Sequence, residues 1–182
     1  MTDRTLVLGG ARSGKSAYAE ALLPAEAPVT YLATARRDPT DVEWEARIAA
    51  HVARRPPSWV TVQPTDLAAQ ITDAHPGQIL LVDDLATWLT GVLDDVSAWD
   101  GADRALAEAG RHVDELVASV ERCAVRLVLV SAEVGLGVVP ETRSGRLFRD
   151  ELGSLNARLA KVCDESVLLV AGLPVQLRSP RR

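Results

Sequence analysis

The sequence predicts an α/β fold, a mainly parallel sheet with helices on both faces, and three observations predict it. The first is the octet Gly9-Gly10-Ala11-Arg12-Ser13-Gly14-Lys15-Ser16, which lies between the apolar run Thr5 to Leu8 and the helical stretch Ala17 to Leu23. Strand, glycine-rich loop and helix in this order form the phosphate-binding loop of a P-loop, NTPase-like sheet. The second is the succession of short apolar runs separated by helical patterns, which is the signature of parallel strands joined by crossover helices. The third is Ile79-Leu80-Leu81-Val82-Asp83-Asp84, an apolar strand that ends in acid. A phosphate-loop enzyme holds the shell of Mg²⁺ from that position, with Asp83 the first candidate and Asp84 the second.

Within the loop, glycines let successive N–H groups turn inward onto an anion, and the following helix adds the positive end of its dipole. Lys15 is then the cation for the β- and γ-phosphates, and the Ser16 hydroxyl is the Mg²⁺ partner of Asp83. The chain is expected to bind a nucleoside triphosphate.

At 182 residues the expectation is one domain, 1–182, large enough to bury an ordinary core. A net charge of −5 argues against a nucleic acid as the main partner. No apolar run reaches membrane-spanning length and Met1 to Arg4 carries no apolar signal region, so the expected location is the cytoplasm. Cys123 and Cys163 lack metal-site spacing and read as reduced core thiols.

Taken in order, Val29 to Leu32 is the second strand, followed by Ala33-Thr34-Ala35-Arg36-Arg37. Ligands sit beyond the carboxyl ends of strands in such sheets, so Thr34, Ala35 and Arg36 either touch nucleotide or form a solvated loop. A helix follows, starting at the capping box Thr40/Glu43 or at Asp38-Pro39, and Pro56-Pro57 ends it near Arg55. Trp44, Ile48 and Val52 share one face, while Arg47 and His51 stack on the neighbouring stripe. His51 therefore has two readings: a nucleophilic neutral ring among phosphate-binding arginines, or an exposed polar-face residue.

Trp59 to Val62 is a short strand, and Asp66 to Ile71 a short helix with Thr65 as its cap. A helix over Thr87 to Leu93 and an acidic connection over Asp94 to Asp103 lead to a longer helix near Ala102 to Cys123. That helix carries Leu106, Ala109, Val113, Leu116, Val117 and Val120 on one side, with His112 between them. Arg126 to Val130 is a buried strand, and Val134 to Pro140 a glycine-punctuated loop on the edge shared with the phosphate loop. Arg143 to Val162 is a helix with a stripe from Phe148 to Val162, packed on the sheet or another subunit. Val167 to Ala171 is the last core strand, and Gly172-Leu173-Pro174 turns into a short terminal segment. No internal repeat or linker interrupts the chain.

Several motifs together carry a resemblance. They are the octet 9–16, Tyr31-Leu32-Ala33-Thr34, Arg47-Ile48-x-x-His51, Arg55-Pro56-x-x-Trp59-x-Thr61 and Leu81-Val82-Asp83. Further on stand Glu133-Val134-Gly135-x-Gly137-x-Val139-Pro140 and Arg146-x-Phe148-Arg149-Asp150-x-x-Gly153-x-x-Asn156. In combination the chain resembles the bifunctional adenosylcobinamide kinase/adenosylcobinamide-phosphate guanylyltransferase family of cobalamin biosynthesis. The resemblance implies NTP-dependent phosphorylation of adenosylcobinamide, then transfer of GMP from GTP through a guanylyl-histidine, giving adenosylcobinamide-GDP and pyrophosphate. It implies Mg²⁺ with ATP and GTP as substrates, a corrinoid as the small-molecule partner, and a homotrimer.

The family's histidine falls on His51, and its nucleotide contacts fall on Gly9 to Ser16, Thr34 to Arg36, Val52, Ala53, Arg54, Arg55, Gln63 and Asp83. The chain departs from the family's usual residues at Val52, Gln63, Asp84-Leu85-Ala86 and Ala132, and Gln63 replaces an acid. Two other readings compete: a small-molecule kinase using the phosphate loop without guanylyltransferase activity, and a nucleotide-dependent switch acting through a partner.

Overall fold

The computed structural model describes residues 3–36 and 55–179. Seven strands form one sheet: β1 (Arg4–Gly9), β2 (Val29–Ala33), β3 (Val60–Val62), β4 (Ile79–Asp83), β5 (Arg126–Ala132), β6 (Glu165–Val170) and β7 (Leu173–Arg178). Their order across the sheet is β3-β2-β4-β5-β1-β6-β7. All pairings are parallel except β6 with β7, which run antiparallel. The expected mainly parallel α/β sheet is therefore present. The terminal segment is more than a turn, because β7 closes that edge as a strand.

The described helices are α1 (Lys15–Ala21), α2 (Leu67–Thr72), α3 (Leu85–Asp95), α4 (Asp103–Arg122) and α5 (Arg143–Val162). The helix expected to carry Trp44, Arg47, Ile48 and His51 lies outside the described residues, with only Arg55 at its margin inside them. α2 is capped by Asp66, whose side chain accepts from the Ala69 amide, rather than by Thr65. Asp outcompetes Thr here because the cap must stand immediately before the first helical residue.

Strand alternation divides the core between the two faces of the sheet. Val7, Tyr31, Leu81, Val128, Val130, Val167 and Leu169 face Ala19 and Leu23 of the α1 side. Leu6, Leu8, Leu32, Leu80, Val82, Leu127 and Leu129 face α2 to α5, where Leu89, Leu116, Leu152 and Leu155 meet them. Each buried Val or Leu among them contributes up to about 1.5–3 kcal/mol by leaving water, so the central strands are fixed in place on both faces. Cys123 and Cys163 are free thiols in this core, and burial pushes the Cys163 thiol up to about 12. Among the described residues, no helix is long and apolar enough to cross a membrane.

Candidate active site

The sheet order decides what meets at its carboxyl edge. β1 delivers Gly9 and its loop, and β4, two places away, delivers Asp83 toward the first turn of α1. A Cβ on Gly9 would stand 2.3 Å from Ser13 Oγ, so only glycine lets the loop fold back this tightly. Gly14 caps α1 at φ 88°, in the left-handed region that glycine enters without strain. α1 starts at Lys15, so Lys15 and Ser16 occupy its first turn, where backbone donors and the dipole's positive end are concentrated. Ser13 Oγ is buried against Gly9 and has no hydrogen-bond partner among the described residues.

Ser16 Oγ donates to Asp83 Oδ1 over 3.3 Å, and the Tyr31 hydroxyl donates to Asp83 Oδ2 over 2.5 Å. Tyr31 stands level with Leu81 in the β2–β4 register, one step back on the same face as Asp83. Burial, reinforced by the Asp83 carboxylate, raises its phenol well above the ordinary range, so it remains a donor. The Arg55 guanidinium carbon lies 3.2 Å from the Tyr31 ring centroid, a cation–π contact, and its Nη1 donates to Thr61 Oγ1 at 2.7 Å. Ser16, Asp83, Tyr31 and Arg55 are thus one connected cluster. Tyr31 is the member that residue types alone do not single out, since a tyrosine in an apolar strand reads as packing.

No group of three or more His, Cys, Asp or Glu side chains gathers as a metal cage among the described residues. Magnesium carried by phosphates needs none, because it takes one or two protein oxygens and keeps several waters. Ser16 Oγ and Asp83 Oδ1 are a fitting pair for that chemistry.

Asp84 has a different place. Its side chain caps α3 by accepting from the Ala86 amide at 2.8 Å. Burial lifts its carboxyl to about 6; the Ala86 bond and Lys15 oppose the rise, while Asp83 adds to it. An ordinary aspartate titrates at 3.8, so between 3.8 and about 6 the folded protein keeps a proton that the unfolded chain has lost. Stability therefore falls as pH rises through that window and levels off above it. Asp84→Asn keeps an acceptor for Ala86 and removes the buried charge. Without metal or nucleotide, the variant is expected to gain about 2 kcal/mol at about pH 8 and almost nothing at about pH 4. Denaturant melts of both proteins at the two pH values check this, and an equal gain at both would place the effect elsewhere.

Thr34 ties the ends of β2 and β4 together: its Oγ1 donates to the Asp84 carbonyl at 2.6 Å and accepts from the Asp84 amide at 2.9 Å. Beside it opens a cleft of about 890 Å³, lined by Ala35, Arg36, Gln63, Trp88, His112 and Glu115 among others. Gln63 Nε2 donates to the Ala35 carbonyl, and Arg36 pairs with Asp95 of α3 while also reaching the Gly91 carbonyl. The structure thus gathers Gly9 to Ser16, Asp83 and Arg55 at the phosphate loop. It sets Thr34 at the border and Ala35, Arg36 and Gln63 in the neighbouring cleft. His51, Val52, Ala53 and Arg54 lie outside the described residues.

Comparison with known proteins gives this arrangement a lineage. Two solved structures share the fold. One is a prototypical ATPase from the type III secretion system of pathogenic bacteria (TM-score 0.50, 11% identity, 96% of this chain and 56% of that one). The other is the assembled ATPase EscN of the enteropathogenic E. coli type III secretion system (TM-score 0.51, 15% identity, 93% of this chain and 43% of that one). The chain spans about half the length of those ATPases, and the likeness speaks for the fold alone.

Sequence relatives are much nearer. The bifunctional adenosylcobalamin biosynthesis protein CobP of Pseudomonas aeruginosa is 44% identical over 180 residues, 96% of this chain and 97% of that one. The corresponding CobU proteins of Salmonella typhimurium and Escherichia coli K12 are 40% and 37% identical, each over 95% of this chain and 98% of their own. The family profile described as cobinamide kinase / cobinamide phosphate guanyltransferase matches residues 5–177. The chain belongs to the cobinamide kinase / cobinamide phosphate guanyltransferase family.

Proposed function

We propose that the protein is a bifunctional transferase of adenosylcobalamin biosynthesis. It phosphorylates adenosylcobinamide with a nucleoside triphosphate, then moves GMP from GTP onto the new phosphate, releasing pyrophosphate and giving adenosylcobinamide-GDP. The observation that carries this reading is near-full-length identity to bifunctional relatives in a chain whose phosphate loop and facing acid are intact.

In the kinase step the loop amides, Lys15 and the α1 N-terminus hold the phosphates and spread the charge that develops on the transferred group. Ser16 and Asp83 are the protein oxygens that would hold Mg²⁺, and the ion would supply positive charge to offset that of the phosphates. In the guanylyl step His51 supplies the attacking ring nitrogen, with Arg54 and Arg55 as the neighbouring cations. Thr34, Ala35, Arg36, Val52, Ala53 and Gln63 complete the nucleotide contacts. The chain length supports a single domain over 1–182, the resemblance adds a homotrimer, and the reading places the enzyme in the cytoplasm.

The test is a pair of labels on the purified protein. Incubation with α-labelled GTP is expected to leave acid-labile, alkali-stable label on the chain, and γ-labelled nucleotide to label adenosylcobinamide. Kinase product without any protein-bound GMP would reduce the function to a small-molecule kinase.

Tyr31 has a positioning part in this scheme. Its hydroxyl occupies one oxygen of Asp83 and leaves the other toward Ser16. Tyr31→Phe keeps the ring under Arg55 and removes that hydroxyl. Losing a hydrogen bond to a charged group costs about 1.5 kcal/mol, so the Mg²⁺ concentration for half-maximal nucleotide binding is expected to rise about tenfold. Fluorescent-nucleotide titrations at graded Mg²⁺ read this directly, with metal-free nucleotide affinity unchanged. An unchanged Mg²⁺ midpoint would show that Asp83 is oriented without Tyr31.

A further inference from the structure

The loop from Glu133 to Thr142, between β5 and α5, shows its apolar residues to solvent. Leu136 is 81% exposed, Val138 94% and Val139 60%. Three large apolar side chains in so short a segment cost hydration free energy unless something covers them. Nor is the tip exposed because the loop lacks anchors. Asn156, buried within α5, accepts from Ser131 Oγ at 2.7 Å and donates to the Ala132 carbonyl at 3.0 Å, fixing the end of β5. Glu133 accepts from the Gly135 amide at 2.7 Å. Arg146 holds the far end by donating to the Pro140 and Glu141 carbonyls at 3.0 and 2.6 Å. Val134 turns inward onto the core, and the next apolar residues are held out.

The loop also has an address. β5 is the immediate neighbour of β1, and the Glu133 amide donates to the Gly9 carbonyl at 3.0 Å. The exposed tip therefore rises from the strand beside the phosphate loop, on the edge from which a phosphoryl acceptor must approach. In the proposed function that acceptor is a hydroxyl on a flexible arm, attached to a broad macrocycle rimmed with methyl groups and amides. The arm must enter the loop while the macrocycle stays outside it. It then needs an apolar rest within an arm's length of the transferred phosphate.

We infer that Leu136, Val138 and Val139 form a docking lip for the corrinoid macrocycle, so that this loop sets the affinity for the acceptor. The inference rests on the proposed kinase reading. It assigns a role to the Glu-Val-Gly segment and to Arg146 and Asn156, which the phosphate chemistry leaves without one. The polar anchors hold the tip, and the tip holds the ring.

The experiment compares wild type with Leu136→Ser/Val138→Ser, a pair whose exposure makes the fold indifferent to the change. Losing two buried apolar contacts is expected to raise KM for adenosylcobinamide about ten- to hundredfold. The dissociation constant for cobinamide, read by corrin absorbance in equilibrium dialysis, is expected to rise in parallel. KM for the nucleotide and the yield of protein-bound GMP are expected to stay at wild-type values. A variant with normal corrinoid KM and affinity, in a protein whose wild type phosphorylates adenosylcobinamide, overturns the lip alone. A wild type that leaves adenosylcobinamide unphosphorylated overturns the functional reading and the lip with it. A change in assembly mass on sedimentation, with or without lost affinity, overturns the lip in favour of a second copy of the chain as its occupant.

Discussion

His51→Asn is expected to abolish protein-bound GMP and to lower adenosylcobinamide-GDP formation by about a thousandfold or more, because the side chain that forms the covalent bond is gone. The attack needs a neutral ring nitrogen, and asparagine offers an amide of similar size without that lone pair. Phosphorylation of adenosylcobinamide passes through no covalent protein intermediate and is expected to survive in the same variant. α-Labelled GTP and γ-labelled nucleotide, run side by side, separate the two outcomes. His75 and His112 serve as controls. The first sits in an exposed turn, and the second lies 3.7 Å from Glu115 at the rim of the cleft. Label retained on the His51 variant would replace the two-step transfer by a direct displacement on GTP.

The second large effect is at Lys15. Lys15→Ala removes the cation at the first turn of α1, where β- and γ-phosphate charge must be held while it redistributes. The expected loss in kinase kcat/KM is about 10²–10³-fold, the scale for deleting one preorganised charge-stabilising group. The melting temperature should hardly move, since the lysine faces the ligand site rather than the core. A variant that phosphorylates adenosylcobinamide at the wild-type rate would move the kinase site away from this loop.

The phosphate loop was legible because its chemistry and its local structure coincide. Residues 9–16 need a strand before them and a helix after them, and both were written in apolar spacing within a few positions. Asp83 was legible for the same reason, as an acid closing an unbroken apolar run. Tyr31 was not, because its role depends on β2 lying beside β4, and strand order is a non-local property that no spacing in the chain records. The division of labour between Asp83 and Asp84 was half visible. Which of two adjacent acids faces the ligand depends on the parity of the strand, and the other becomes the cap of α3. β7 was missed through Pro174, which reads as a strand breaker. At a sheet edge proline is tolerated, and the Ala171-Gly172 turn, with φ of 51° and 80°, folds the chain back against β6. The exposed tip after β5 looked like an ordinary glycine loop, because sequence does not tell an apolar residue turned inward from one held out.

The position of β1 in the sheet has a consequence for how the protein is made. β1 leaves the ribosome well before its hydrogen-bonding neighbours, which begin at Leu127 in β5 and Glu165 in β6. Even the Ser13 carbonyl of the phosphate loop accepts from the Gly172 amide, which is made far later than the loop itself. Such distant pairings close slowly and late, because the intervening chain must be gathered before they form. Until β5 emerges Thr5 to Leu8 is an apolar strand without partners, a segment that invites pairing with other chains and calls for chaperone cover. Nucleotide stabilises only a state that can bind it, so it draws the equilibrium toward the finished fold and leaves the nascent one unprotected. A chain terminated before β6 keeps one side of β1 open, and no concentration of substrate closes it.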